Sequence, residues 1–312
     1  MTVPEMKMAM CYFDLQVNGY GGVDFNQDHL TADQLHRACV KLQEEGVEGF
    51  LATYTTEKLD LLCARIQRLI ELRAQDGLAR QLITGIHVEG PFINATPGYV
   101  GAHPPDAVIP ATTPAAQMIL DAGGGLVKLV TLAPECDEGL RVTALLARQG
   151  VRVAAGHTDA SLDQLRGAVD AGLTMFTHLG NGCPMQMPRH DNIVQRALYL
   201  RDTLALGFIA DGVHVAFVAL KNYLDLAGPE RAFVVTDAVA PAGMGPGRYT
   251  VNRWELLIGE DLVARAPDGS HLIGSAVTMP KTEQNLRDQL GLSEADCRRL
   301  LNDNPRRALG LP

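Results

Sequence analysis

A chain of 312 residues with 46% hydrophobic and 20% charged positions has the balance of a globular protein with a sizeable core, which excludes disorder as its main theme. Its 27 basic and 36 acidic residues give a net charge of −9, so nothing attracts nucleic acid or an anionic membrane in general, and an anionic substrate would need a locally basic pocket. The N-terminus reads as no secretory leader, no stretch nears the ~18 apolar residues of a membrane span, and the six cysteines form no C-x-x-C pair. A cytoplasmic chain without a disulfide framework or a thiolate zinc site is expected.

Short β-rich runs alternate with helical patterns along the chain. The first strand is predicted at Tyr12–Asn18, followed by a helix at Thr31–Glu45 that starts at a Thr cap and closes before Gly46. A strand at Val47–Tyr54 leads to a helix at Glu57–Gln75, where leucine and isoleucine recur at helical spacing. Strands follow at Gln81–Val88, Leu126–Leu132, Val151–Ala155, Leu173–His178, Leu204–Ala210 and Ala232–Thr236. Helices are expected at Thr113–Ala122, Glu138–Gln149, Ser161–Ala171 and His214–Leu226. Beyond the eighth strand lie a Gly/Pro-rich stretch from Ala240, a small β excursion within residues 245–275, and helices at Lys281–Leu290 and Ser293–Asn302. Eight parallel strands with intervening helices make this an α/β chain and favour a (β/α)₈ barrel over an open doubly wound sheet. The turn Asn18-Gly-Tyr-Gly-Gly22 is no G-x-G-x-x-G fingerprint, and there is no Walker A sequence, which removes the common nucleotide-binding readings.

Catalytic side chains of such a barrel sit at the C-terminal ends of its strands. Here the third strand runs into His87-Val-Glu89, the fifth into Gly156-His157, the sixth into Thr177-His178, the seventh into Asp211-Gly-Val-His214 and the eighth into Thr236-Asp237. One such residue is ordinarily a satisfied structural group, but five at separate strand ends point to a shared site. Glu89, His157 and His178 suit a single divalent metal with an open position, and zinc or ferrous iron matches a nitrogen and oxygen donor set. Such a metal polarises a carbonyl and lowers the pKa of bound water toward ~7. Asp237 is then suited to take the water's proton and pass it to a leaving amine.

Segments that carry these residues resemble, in family order over nearly the whole chain, the N-acetylglucosamine-6-phosphate deacetylases of the amidohydrolase superfamily. They are Asp14-Leu-Gln-Val-Asn-Gly-Tyr-Gly-Gly-Val-Asp-Phe-Asn26, Gly85-Ile-His-Val-Glu-Gly-Pro-Phe-Ile-Asn94, Gly156-His-Thr-Asp-Ala160, Thr177-His-Leu-Gly-Asn181, Ile209-Ala-Asp-Gly-Val-His-Val215, Val235-Thr-Asp-Ala-Val-Ala-Pro-Ala-Gly243, Gly274-Ser-Ala-Val-Thr-Met279 and Asn304-Pro-Arg-Arg-Ala308. Many amidohydrolases carry His-x-His at the end of the first strand and bind two metals. This chain has Gln16-x-Asn18 there, as in the single-metal deacetylases.

The resemblance implies one metal per subunit on Glu89, His157 and His178, with zinc first and ferrous iron second, and Asp237 as the general acid and base. It implies that His103 polarises the acetyl carbonyl, that His214 contacts sugar hydroxyls, and that the backbone at Asn181 and Gly182 lines the substrate pocket. Arg189 lies eleven positions beyond His178, where such members place a phosphate-binding arginine that can reach across a dimer interface, so a homodimer is one arrangement the resemblance allows. The family's usual Arg-Glu-Pro-Gly is here Arg189-His-Asp-Asn192, a departure at the substrate end that spares the metal end. The expected activity is removal of acetyl from N-acetylglucosamine 6-phosphate. The rivals are hydrolysis of another N-acyl sugar or a cyclic amide, and a sugar-phosphate sensor without chemistry. Family members generally add terminal segments that build a small β-sandwich. Here the chain stops just after Asn304-Pro-Arg-Arg-Ala308, so residues 1–312 are expected to be a single barrel domain with little or no sandwich.

Overall fold

Eight strands form one parallel sheet whose spatial order follows the chain: β1 (Tyr12–Val17), β2 (Val47–Thr55), β3 (Ile83–Glu89), β4 (Val127–Leu132), β5 (Arg152–Ala155), β6 (Leu173–Phe176), β7 (Ala205–Ile209) and β8 (Ala232–Val235). The computed structural model describes residues 10–251, 254–269 and 272–312; the N-terminal stretch read for a leader and four residues of the β excursion lie outside these. Val17 bridges in parallel to Ala238, and Asp14 in β1 accepts hydrogen bonds from the amide and hydroxyl of Thr236 just past β8, which brings the two edges of the sheet together. This is the (β/α)₈ barrel that eight predicted strands imply. Register then sets the rim. Glu89 stands opposite Thr55 on one side and Thr131 on the other, so the last residue of β3 lies level with the ends of its neighbours.

Side chains from nearly every strand fill the barrel in layers, as a closed parallel sheet buried on both faces requires. Phe13, Leu15, Leu51, Leu129, Ala154, Met175, Ile209, Phe233 and Val235 make the apolar part, with Ala308 and Leu309 packed against it. Nearer the rim is a polar layer. His87 sits between the hydroxyls of Thr53 (3.3 Å) and Thr131 (2.8 Å), and Thr131 bonds on to Thr177 at 3.0 Å. Burial pushes the His87 imidazole down to about 4, so this layer is neutral.

The helices are α1 (Ala32–Glu44), α2 (Leu59–Gln75), α3 (Gly77–Leu82), α4 (Thr113–Gly123), α5 (Arg141–Arg148), α6 (Leu162–Asp170), α7 (Ile193–Tyr199), α8 (Phe217–Ala227), α9 (Met279–Leu290), α10 (Glu294–Arg298) and α11 (Asn304–Leu309). Local chemistry starts several of them. Thr31 with Gln34 and Ser161 with Gln164 form reciprocal capping boxes, and α1 buries Leu35, Ala38, Cys39 and Leu42 at helical spacing. Three expectations need correction. Gln81 and Leu82 end a separate helix, α3, because the Asp76 carboxylate accepts the Ala79 amide and caps it, so β3 begins at Ile83. Glu138–Leu140 forms a tighter turn before α5, where Gly139 has a positive φ of 66°. The helix expected at Ser293–Asn302 ends at Arg298, and a wider turn over Arg299–Asp303 joins it to α11.

The β excursion is a four-stranded antiparallel sheet of β9 (Gly247–Val251), β10 (Trp254–Ile258), β11 (Val263–Arg265) and β12 (Leu272–Ser275). Leu256, Ile258, Ala264 and Ile273 join Val239 and Ala276 in its own small core. Ser275 pairs with Ala238, which places this sheet beside the rim after β8. No helix among the described residues is long and apolar enough to cross a membrane.

Candidate active site

Glu89 at the end of β3, His157 just past β5 and His178 just past β6 bring one ligating atom each to within 4.8 Å of one another, and all three are buried. Glu89 Oε1 lies 2.7 Å from His178 Nε2 and 3.2 Å from His157 Nε2. Burial alone would push the Glu89 carboxyl up, but the two imidazoles hold it well below the usual carboxylate range. Burial likewise opposes a charged His178, yet Glu89 raises it above its ordinary value. The His157 ring is oriented from behind: the Tyr99 carbonyl accepts from its Nδ1 at 2.8 Å, which leaves Nε2 as the atom turned toward Glu89 and available to a cation held between them. A buried carboxylate converging with two imidazole nitrogens, one of them fixed in its tautomer, is a donor set that fits a divalent cation.

Asp237 follows β8 and shares this rim. Its Oδ1 accepts from Gln16 Nε2 at 3.0 Å and from Asn18 Nδ2 at 2.8 Å. Gln16 Nε2 also donates to Glu89 Oε2 at 3.0 Å, so one amide ties the two carboxylates together. A carboxylate only accepts, so both amide groups must turn their nitrogens toward it. Burial, and after it the charge of Glu89, raises the Asp237 carboxyl to about 6. His157, His178 and Asp237 all have left-handed backbone, with φ of 51°, 26° and 51°. Each costs about 1–3 kcal/mol for a residue with a Cβ, and such strain clusters where side-chain direction matters more than stability.

These groups open into a cavity of about 730 Å³ at the C-terminal end of the barrel. His103, Asn181, Gly182 and His214 line it, together with Ile273 from the β excursion. His103 contacts His157 edge to face, with ring centroids 4.4 Å apart, and burial with His157 beside it pushes its imidazole down to about 3. Asp211 holds His214: its Oδ2 lies 2.6 Å from His214 Nδ1 while its Oδ1 accepts the amides of Val213 and His214. Gly101, on the loop that carries His103, has φ of 58°, and a Cβ there would stand 3.2 Å from the His157 ring.

Arg189 is placed differently. It is exposed and does not line the cavity of its own chain. The altered segment around it has a local structural role: the Asn192 side chain caps α7 by accepting the Gln195 amide, and Asp191 pairs with Arg196 at 2.6 Å. Among the described residues, two other arginines line the cavity. Arg65 is buried and paired with both Asp28 and Glu57, whereas Arg265 of β11 is partly exposed and paired with Asp261. Sequence reasoning missed Arg65 because it occupies an apolar stripe of α2 between Leu62 and Leu69. It also missed Thr56, the Tyr99 carbonyl and Asp211 as groups that hold histidines, since only the Asp211-x-x-His214 spacing could have signalled one of them.

No family model matches the chain. It is 32% identical over 305 residues to the N-acetylgalactosamine-6-phosphate deacetylase of Escherichia coli O157:H7, covering 97% of this chain and 78% of that protein. It is also 32% identical over 316 residues to the N-acetylglucosamine-6-phosphate deacetylase of Danio rerio, covering 97% and 76%. Among solved structures, a variant of the Mycobacterium smegmatis N-acetyl-D-glucosamine-6-phosphate deacetylase in complex with N-acetyl-D-glucosamine-6-phosphate superposes with a TM-score of 0.86 and 33% identity, covering 97% of this chain and 78% of that one. A similar sequence over nearly the whole chain thus accompanies a similar barrel, and the chain belongs to the N-acetylglucosamine-6-phosphate deacetylase family of the amidohydrolase superfamily.

Proposed function

We propose that this chain hydrolyses the N-acetyl amide of an N-acetylhexosamine 6-phosphate, N-acetylglucosamine 6-phosphate first, to acetate and the free amine, in the cytoplasm and on a single barrel domain. The observation that carries the reading is the convergence of Glu89, His157 and His178 beside Asp237 and His103 in one cavity. A divalent cation held by Glu89, His157 and His178, zinc in the first place and ferrous iron in the second, would supply Lewis-acid polarisation of the acyl oxygen and acidify water.

The chain's own groups supply the rest. Asp237 is ionised at neutral pH even with its carboxyl raised to about 6, and it takes a proton from water as the oxygen attacks the amide carbon. With Oδ1 occupied by Gln16 and Asn18, the other oxygen, Oδ2, carries that proton to the amine nitrogen as the C–N bond breaks. His103, neutral at the cavity wall, donates to the acyl oxygen as negative charge builds on it. His214, with Nδ1 held by Asp211, turns its other nitrogen to a sugar hydroxyl, and the backbone at Asn181 and Gly182 lines the sugar's place. Arg189, exposed and outside its own cavity, is proposed to meet the phosphate of a substrate bound to a second copy in a homodimer. The same displacement supports the second reading, another N-acyl sugar without phosphate.

Acetate release from phosphorylated and unphosphorylated N-acetylhexosamines separates the two. The first reading expects a strong preference for the phosphate ester. Equal rates would remove phosphate from the assignment, and tight binding without acetate release in any metal form would favour the sensor reading.

A further inference from the structure

His103 Nδ1 accepts the backbone N–H of Thr56 at 3.3 Å and stands 2.8 Å from the Thr56 hydroxyl. A backbone amide can only donate, so the nitrogen facing it must present its lone pair. The proton of the neutral ring is therefore on Nε2, and among the described residues nothing accepts from that nitrogen. His157, whose ring is 4.4 Å away, has the opposite arrangement, because the Tyr99 carbonyl can only accept and so takes a proton from Nδ1. The two neighbouring rings thus meet opposite backbone groups at Nδ1, a donor for His103 and an acceptor for His157. His157 turns Nε2 to the position it shares with Glu89, and His103 presents an N–H to the cavity.

Resting on the deacetylase reading, we propose that Thr56 is a positioning residue that locks His103 in the Nε2–H tautomer, so that His103 serves the reaction as a neutral hydrogen-bond donor. Thr56 is well placed to do this. It is 2% exposed, directly follows β2, and its hydroxyl also reaches the Glu89 carbonyl at 3.4 Å, so one residue ties the His103 loop to the strand that ends in Glu89. The reverse tautomer would leave the buried Thr56 N–H facing another N–H and would aim a lone pair at the oxygen on which charge accumulates.

The direct test is a multiple-bond ¹H–¹⁵N spectrum of the zinc-loaded enzyme labelled at histidine, with the His103 signals assigned by their absence in His103→Ala. An unprotonated Nδ1 and a protonated Nε2 are expected; a proton on Nδ1 overturns the proposal. Kinetics read the coupling. Thr56→Val keeps the amide that sets the tautomer, so the Nε2–H signature should persist, but it removes the hydroxyl that seats the ring, 2.8 Å from Nδ1. Its kcat should fall about tenfold with KM within twofold, Thr56→Ser should restore it, and in the His103→Ala background Thr56→Val should have no further effect. A loss that persists without His103, or no loss at all, overturns the role. Failure of the parent enzyme to release acetate from any N-acetylhexosamine phosphate would instead sink the deacetylase reading, and the spectrum would still report the tautomer.

Discussion

Replacing Asp237 by Asn should make the protein more stable and almost inactive at once. The side chain keeps its shape, and its Oδ1 still accepts from Gln16 Nε2 and Asn18 Nδ2, so no buried donor is orphaned. What disappears is a half-buried carboxylate whose pKa is raised from 3.8 to about 6, chiefly by desolvation and then by Glu89. At about 1.4 kcal/mol per unit, this penalises the folded, metal-free protein by up to roughly 3 kcal/mol at neutral pH. The sign follows from a folded pKa above the unfolded one. The penalty is absent below pH ~4, grows as the pH rises to ~6 and is constant above that. Thermal melts of chelator-treated Asp237→Asn and parent protein should therefore coincide near pH 4 and diverge by about 5 °C at pH 7. Turnover of the metal-loaded variant should fall about 10³-fold or more with metal content unchanged. A variant no more stable than its parent at pH 7 would refute the electrostatic reasoning, and near-normal turnover would remove Asp237 from proton transfer.

Three further substitutions probe the site from other sides. Glu89→Gln removes the anion shared by His157 and His178 and should leave little metal after dialysis, read by elemental analysis; full retention would remove Glu89 from the ligand set. Asn18→Ala deletes one of two donors to Asp237, a charge-assisted bond of about 1.5–3 kcal/mol, so kcat should drop about ten- to hundredfold while Gln16 keeps the carboxylate near its place. An unchanged kcat would show that Gln16 alone suffices. Arg189→Ala should raise KM for phosphorylated substrates and barely change turnover of unphosphorylated ones; equal effects on both would assign Arg189 a structural role instead.

The barrel and the rim were largely legible in the sequence, for a physical reason. In a parallel barrel each strand is buried on both faces, so its apolar run stands out, and the polar residue that ends the run marks the rim. Glu89, His157, His178, Asp237 and His214 are all found in this way. Less legible were features that depend on contacts distant in sequence. Arg65 lies in an apolar helical stripe yet reaches Asp28 and Glu57, and α3 exists because Asp76 caps it, taking Gln81 and Leu82 from the start of the predicted strand. The groups that set the histidine tautomers are hidden most deeply. The Tyr99 carbonyl and the Thr56 amide belong to the backbone, which every sequence has, and only folding brings them to a ring nitrogen. Arg189 is a different case: the resemblance implies a phosphate contact that can cross a dimer interface, and within its own chain the loop leaves it exposed outside the cavity.

The central claim is amide hydrolysis at the Glu89, His157 and His178 centre. It is tested most directly by measuring acetate and free amine together from N-acetylglucosamine 6-phosphate, on protein of known metal content. Equal amounts of the two products, rising in proportion to bound metal, are expected. Bound substrate with neither product at full metal loading would contradict the account.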